Sequence, residues 1–188
     1  MERCAGCWIA DRLIGSLEKN VGICINRLHI DQVNWQEVCE NPDLKDLQYR
    51  IELNGMGQIV MGPASNEHSF RQSRLIRHLL RLLDDGEVLP ECSIDTSDGT
   101  KVADVVWFSK EFHARWGLAT PYPEAPEICI EVLSPSNSED EMRQKRALYF
   151  ERGAKEVWIC KEDNTVEFFA SEGPVSASVL VPEFPNSI

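Results

Sequence analysis

The sequence predicts an α/β domain, and three observations carry that prediction. Residues 101–108 (KVADVVWF) and 126–133 (PEICIEVL) are apolar runs rich in β-branched and aromatic residues, the composition of buried strands. Two stretches, ending near Asp84 and Arg152, carry the spacing and end signals of helices. Two further pairs of short apolar runs, YRIELN…GQIVM and EVWIC…VEFFA, are separated by turn residues and read as hairpins.

Taken in order, Asn34 is placed to cap a short helix over 35–40 that ends near Asn41-Pro42. Tyr49, Ile51 and Leu53 alternate with Arg50, Glu52 and Asn54, and Gly55 and Gly57 turn the chain into a second strand. Ser65 or Asn66 caps a long helix. His68, Leu75, Leu79, Leu82 and Leu83 form its apolar face, and Arg71, Arg74, Arg77 and Arg81 form a stripe nearly opposite. Residues 88–94 read as a strand, 95–100 (DTSDGT) as a turn and 101–108 as the next strand. Residues 109–124 read as a loop with one helical turn near 112–116, held extended by Pro121, Pro123 and Pro126. After the strand 127–133, either Ser136 or Ser138 can cap a helix through an acid three residues on, and Gly153 stops it. Residues 156–160 and 166–170 pair around Glu162-Asp163-Asn164. In the Pro- and Ser-rich tail, Val179–Val181 is expected to add an edge strand.

The chain has 188 residues, enough for one domain with a sizeable core. No apolar run approaches the ~18 residues of a membrane span, and Asp11 and Arg12 cut off the apolar start of the chain, so the expected location is cytoplasmic. Seven irregularly spaced cysteines fit reduced thiols. Cys4-x-x-Cys7 lacks the second pair that a zinc ribbon needs and reads as structural or incidental. The net charge of −12 excludes a general nucleic-acid coat, though not local grip at a cleft.

The chemistry lies in carboxylates that interrupt apolar strands. Asp104 shares the Val106 and Phe108 face by alternation, and Glu131 shares the Cys129 and Leu133 face. A buried carboxylate must be paired, protonated or bound to metal. Two adjacent ones favour protonation of one or capture of a hard divalent cation. Lys145 and Tyr149, one turn apart, can both project onto the sheet while Arg143 and Arg146 point outward. Two acids and a lysine at a strand edge suggest metal-assisted phosphodiester chemistry. Structural alternatives stand beside each: Asp104 capping a turn or pairing with Lys101, Glu131 paired with Lys145, Lys145 paired with Glu141, His68 as a core or capping residue, and the arginines as a solvated face rather than a phosphate contact. No Gly-x-Ser-x-Gly elbow or Gly-rich nucleotide loop is present.

The segments YRIELN…GQIVM, ASNEH, ADVVWF and above all PEICIEVLSPSNSEDEMRQKRALYFERGAKEVWIC resemble the PD-(D/E)xK nuclease superfamily. More narrowly, they resemble the Uma-two family of restriction endonucleases, a group named from sequence and fold more than from demonstrated activity. The resemblance runs from about Asn34 to the C-terminus and implies a restriction-endonuclease-like core, a mixed central sheet flanked by helices with an N-terminal hairpin. It implies a single such domain over 31–188, with 1–30 as an extension without a counterpart. Asp104 matches the Asp of the Pro-Asp element, with Ala103 in the proline's place. Glu131 matches the acid of (D/E)xK, with Leu133 in the lysine's place and Lys145 supplying the lysine from the following helix. Glu52 and His68 match supporting positions, and the Val132 carbonyl would be the third protein ligand. The expected function is a Mg²⁺- or Mn²⁺-dependent endonuclease acting on DNA, with a homodimer suiting cleavage of two strands. The alternatives are an inactive nuclease-fold binding module and an interaction protein using the arginine stripe.

Overall fold

Strands Ile128–Val132 (β5) and Glu156–Cys160 (β6) run parallel at the centre of a six-stranded sheet, joined by the helix Glu139–Glu151 (α5). That crossover is the βαβ unit that a parallel pair requires. The computed structural model describes residues 34–45, 49–63, 65–134 and 137–188. The Cys4-x-x-Cys7 reading and the extension over 1–30 lie outside them.

The described chain begins with helices Trp35–Glu40 (α1) and Pro42–Lys45 (α2). Asn34 caps α1 through a capping box with Glu37. Strands Tyr49–Leu53 (β1) and Ile59–Pro63 (β2) form the expected antiparallel hairpin. Asn54 organises its turn: its Oδ1 accepts from the N–H groups of Met56 and Gln58. The long helix Asn66–Leu82 (α3) starts at the Ser65 cap.

Strands Glu87–Thr96 (β3) and Gly99–Phe108 (β4) form a hairpin tighter than the sequence suggested, because pairing continues to Thr96 and Gly99. The loop after β4 holds a full helix, Lys110–Trp116 (α4), capped by the Ser109 side chain, rather than one turn. Strands Val166–Ala170 (β7) and Gly173–Val175 (β8) complete the order β3-β4-β5-β6-β7-β8, antiparallel everywhere except β5–β6.

Apolar clusters form on both faces of the sheet. One joins Leu75 and Leu79 of α3 with Val105, Ile130, Trp158 and the tail residues Val181, Phe184 and Ile188. The other joins Val106, Phe108 and Cys129 with Phe112, Tyr122 and Tyr149 of α5. The expected edge strand at Val179–Val181 does not form. The Glu156 carboxylate captures those backbone groups instead, with Oε1 accepting from Val179 N–H at 2.6 Å and Leu180 N–H at 2.8 Å. Its Oε2 accepts from Trp158 Nε1–H and Ser178 Oγ–H, both at 2.7 Å. The tail is thereby folded over the core instead of along the edge. Among the described residues, no helix is long and apolar enough to cross a membrane.

Candidate active site

The ladder between β4 and β5 spans only Val105–Trp107 against Ile128–Ile130. Continued one step, the register would set Asp104 opposite Glu131, and there the two strands part. The Val132 N–H donates to Asp104 Oδ2 at 2.6 Å instead of to a β4 carbonyl. The Val102 N–H donates to Glu52 Oε1 at 3.1 Å, so a side chain from the β1–β2 hairpin also occupies the strand edge. An extended residue turns its N–H and C=O toward the same edge, so the Val132 carbonyl faces the same gap.

The strand changes phase at this point. Ala103 and Val106 pack in one cluster, although strict alternation would set them on opposite faces. The cross-strand partner position to Asp104 is Glu91, which has a positive φ of 50°. Asp104 therefore does not simply follow Val106 and Phe108. Its Oδ1 reaches His68 Nε2 at 3.1 Å, on the first turn of α3. Gln72, one turn further along, donates from Nε2 to the Asp104 carbonyl at 3.1 Å and to Glu91 Oε1 at 2.6 Å.

The other expected residues meet beside Glu131. Lys145 Nζ donates to Glu131 Oε2 at 3.2 Å and to Glu52 Oε1 at 2.7 Å. The Tyr149 hydroxyl donates to Glu131 Oε1 at 2.6 Å. The i,i+4 spacing of Lys145 and Tyr149 on α5 brings both to one carboxylate. The pairing of Lys145 with Glu141 does not form; Glu141 closes the capping box of Ser138.

These groups are almost dry. Asp104, Glu131 and Lys145 are buried, at 0 %, 2 % and 6 % exposed. Two carboxylates, Glu52 and Glu131, thus grip the Lys145 ammonium directly, and Asp104 acts on both Glu131 and Lys145 through its charge. Burial raises the Glu131 carboxyl to about 8; Lys145 pulls it down, while Asp104 and Glu52 push it further up. Burial opposes the Lys145 charge, but Glu131, Glu52 and Asp104 more than offset this and hold it protonated. Burial, then Glu131 and Glu52, push the Tyr149 hydroxyl well above its ordinary value, so it remains a donor. Burial likewise raises Cys92 to about 12, which disfavours a thiolate nucleophile.

The arginine stripe is only partly a stripe. Arg71 is buried, and its Nη2 donates to Glu67 Oε1 at 2.5 Å and to the Glu162 carbonyl at 2.6 Å. Its place is set by the loop after β6, which helical periodicity cannot foresee. Arg74 lies over the Phe70 ring, and Arg77 and Arg81 are exposed. Arg143 is exposed as expected, but Arg146 packs over the Phe169 ring at 3.8 Å from its centroid. Glu91 and Gln72 were not singled out in the sequence. Counting the β3–β4 register back from Thr96–Gly99 would have set Glu91 opposite Asp104.

The fold is similar to that of a crystal structure titled a "putative nuclease belonging to DUF820" from Anabaena variabilis. The TM-score is 0.60 at 19% identity, covering 70% of this chain and 83% of that one, and the likeness is one of fold. No curated protein matches the chain. A family model does match, over residues 35–187, a span that includes every residue of the site. On that match the chain belongs to the Uma2 family, described as "Putative restriction endonuclease".

Proposed function

We propose that the chain is a metal-dependent endonuclease that hydrolyses phosphodiester bonds in DNA. One observation carries the reading: where β4 and β5 part, the Lys145 ammonium is gripped by Glu52 and Glu131, while the buried Asp104 carboxylate takes the Val132 N–H at the same gap. Negative charge is in excess there, in a place where water cannot screen it.

The donor set fits a hard divalent cation, which accepts carboxylate and carbonyl oxygens and keeps several waters. Asp104, Glu131 and the Val132 carbonyl would hold Mg²⁺ or Mn²⁺. When bound, such an ion polarises a phosphoryl oxygen and lowers the pKa of a coordinated water. The protein's own groups do the rest. The Val132 N–H and His68 fix the Asp104 carboxylate. Tyr149 fixes Glu131. Glu52 holds the Lys145 ammonium in place, where it orients the attacking water and stabilises charge developing on the phosphorus oxygens. The exposed Arg77 and Arg81, with Arg74, offer the DNA backbone a cationic face on an otherwise acidic protein. Cleavage of both strands favours a homodimer.

The test is incubation of linear, supercoiled and branched DNA with Mn²⁺ and either the wild type or Asp104→Ala. Cleavage by the wild type alone is the expected result. Cleavage of equal extent by the variant would refute the assignment.

One observation favours a second reading, a binding module of nuclease fold without activity. Both Glu131 oxygens and the Lys145 ammonium are already engaged inside the protein. On that reading the network is structural, no DNA substrate is cut, and divalent cations bind without dependence on Glu131.

A further inference from the structure

A different set of ligand atoms lies on the far side of Asp104. A ring nitrogen of His68, a carboxylate oxygen of Glu91 and a carboxylate oxygen of Asp104 all lie within 4.8 Å of one another. They come from α3, β3 and β4 respectively, so three elements converge on one point. Glu131, by contrast, stands on β5, the neighbour of β4 on the other side. We propose that His68, Glu91 and Asp104 hold a second divalent cation, with Asp104 as the shared ligand, and that this position favours Mn²⁺ over Mg²⁺.

The spacing suits one ion. Adjacent ligands of an octahedral cation at about 2.1 Å sit about 3 Å apart, and His68 Nε2 and Asp104 Oδ1 are 3.1 Å apart. Gln72 sets the third ligand, since its amide grips Glu91 Oε1 and the Asp104 backbone together. Glu91 is exposed, so one of the three ligands stands at the solvent boundary.

The ligand chemistry sets the preference. Mg²⁺ takes oxygen ligands in strict octahedra and dehydrates reluctantly, whereas imidazole suits transition metals. An ion here displaces whatever proton lies between Nε2 and Asp104 Oδ1. The imidazole then carries its proton on Nδ1, and its neutral Nε2 becomes the ligand.

The proposal deepens the nuclease reading and shares Asp104 with it, so the test separates the two. Mn²⁺ binding is counted by calorimetry on the wild type, Glu91→Gln and Glu131→Gln. Pulsed electron paramagnetic resonance on bound Mn²⁺ reports coupling to a coordinated imidazole nitrogen. The expected result is two Mn²⁺ per wild-type chain, one in each variant, and nitrogen coupling that survives Glu131→Gln but disappears in His68→Gln. With Mg²⁺, the site that Glu91→Gln removes should fill at least tenfold more weakly. One Mn²⁺ in the wild type, lost in Glu131→Gln and unchanged in Glu91→Gln, would overturn this proposal and leave the Asp104–Glu131 site standing. One Mn²⁺ with nitrogen coupling that persists in Glu131→Gln would support this site and sink the other. No binding at all would overturn both. Glu91 is exposed, so its variant is expected to fold.

Discussion

The Val132 N–H donates to the Asp104 carboxylate at 2.6 Å, where a regular ladder would place a β4 carbonyl. That bond ties the acid of one strand to the residue following the acid of the next. It explains how two carboxylates can sit near the same gap without a rigid ladder between them. A buried charge accepting a backbone N–H is stabilised, and the N–H is satisfied in return.

Replacing Lys145 by Met should destabilise the protein by about 3–5 kcal/mol, because Glu131 and Glu52 lose their buried counter-charge. Urea unfolding measures this directly. Adding Glu131→Gln to Lys145→Met should recover a large part of the loss, since the pair is coupled. Additive losses would mean that the two residues do not share a network.

Tyr149→Phe removes the hydroxyl that donates to Glu131 Oε1 and leaves the packing of the ring intact. The cost should be about 1–3 kcal/mol, typical of a hydrogen bond to a charged or buried acceptor. Turnover should fall by about tenfold, while Asp104→Asn removes it altogether. Melting curves and initial rates measured on the same samples keep the two effects apart.

Stability of the metal-free protein should depend on pH through Glu131. Its folded pKa of about 8 lies above its ordinary 4.5, so the folded state binds the proton more tightly than the unfolded one. The stabilisation is fully present below about 4.5 and is lost as pH rises through 8. Unfolding free energy should therefore decline between pH 5 and pH 8.5, and Glu131→Gln should flatten that decline. Millimolar Mn²⁺ should reverse it at high pH by favouring the ionised form.

The tail clamp is separate from the site. Glu156→Ala would strand two backbone N–H groups, the Trp158 indole and the Ser178 hydroxyl. A loss of about 3–5 kcal/mol is expected, with increased proteolysis after residue 175. Unchanged stability would mean that the tail is held by Val181, Phe184 and Ile188 alone.

Local signals carried much of the fold. The caps at Asn34 and Ser138, the Gly55–Gly57 turn and the stop at Gly153 each depend on residues within a few positions, and each is present. Lys145 could be placed on Glu131 for the same reason, because Tyr149 one turn away fixes which side of α5 faces the sheet. What sequence periodicity could not supply was long-range. Arg71 follows the polar stripe of α3 but is buried by a carbonyl 91 residues away. The phase change at Asp104 is set by pairing with β3 and β5, which alternation within β4 does not encode. The tail strand failed because Glu156 competes for its N–H groups, an acceptor invisible from the tail's own composition.

The central claim is that Asp104 and Glu131 hold a divalent cation, and calorimetric titration of Mn²⁺ into the metal-free protein tests it most directly. The wild type, Asp104→Asn and Glu131→Gln are compared after melting curves establish that all three are folded. The account predicts binding in the wild type, a binding event lost in Glu131→Gln and all binding lost in Asp104→Asn. Undiminished binding in Asp104→Asn, or none in the wild type, would contradict it.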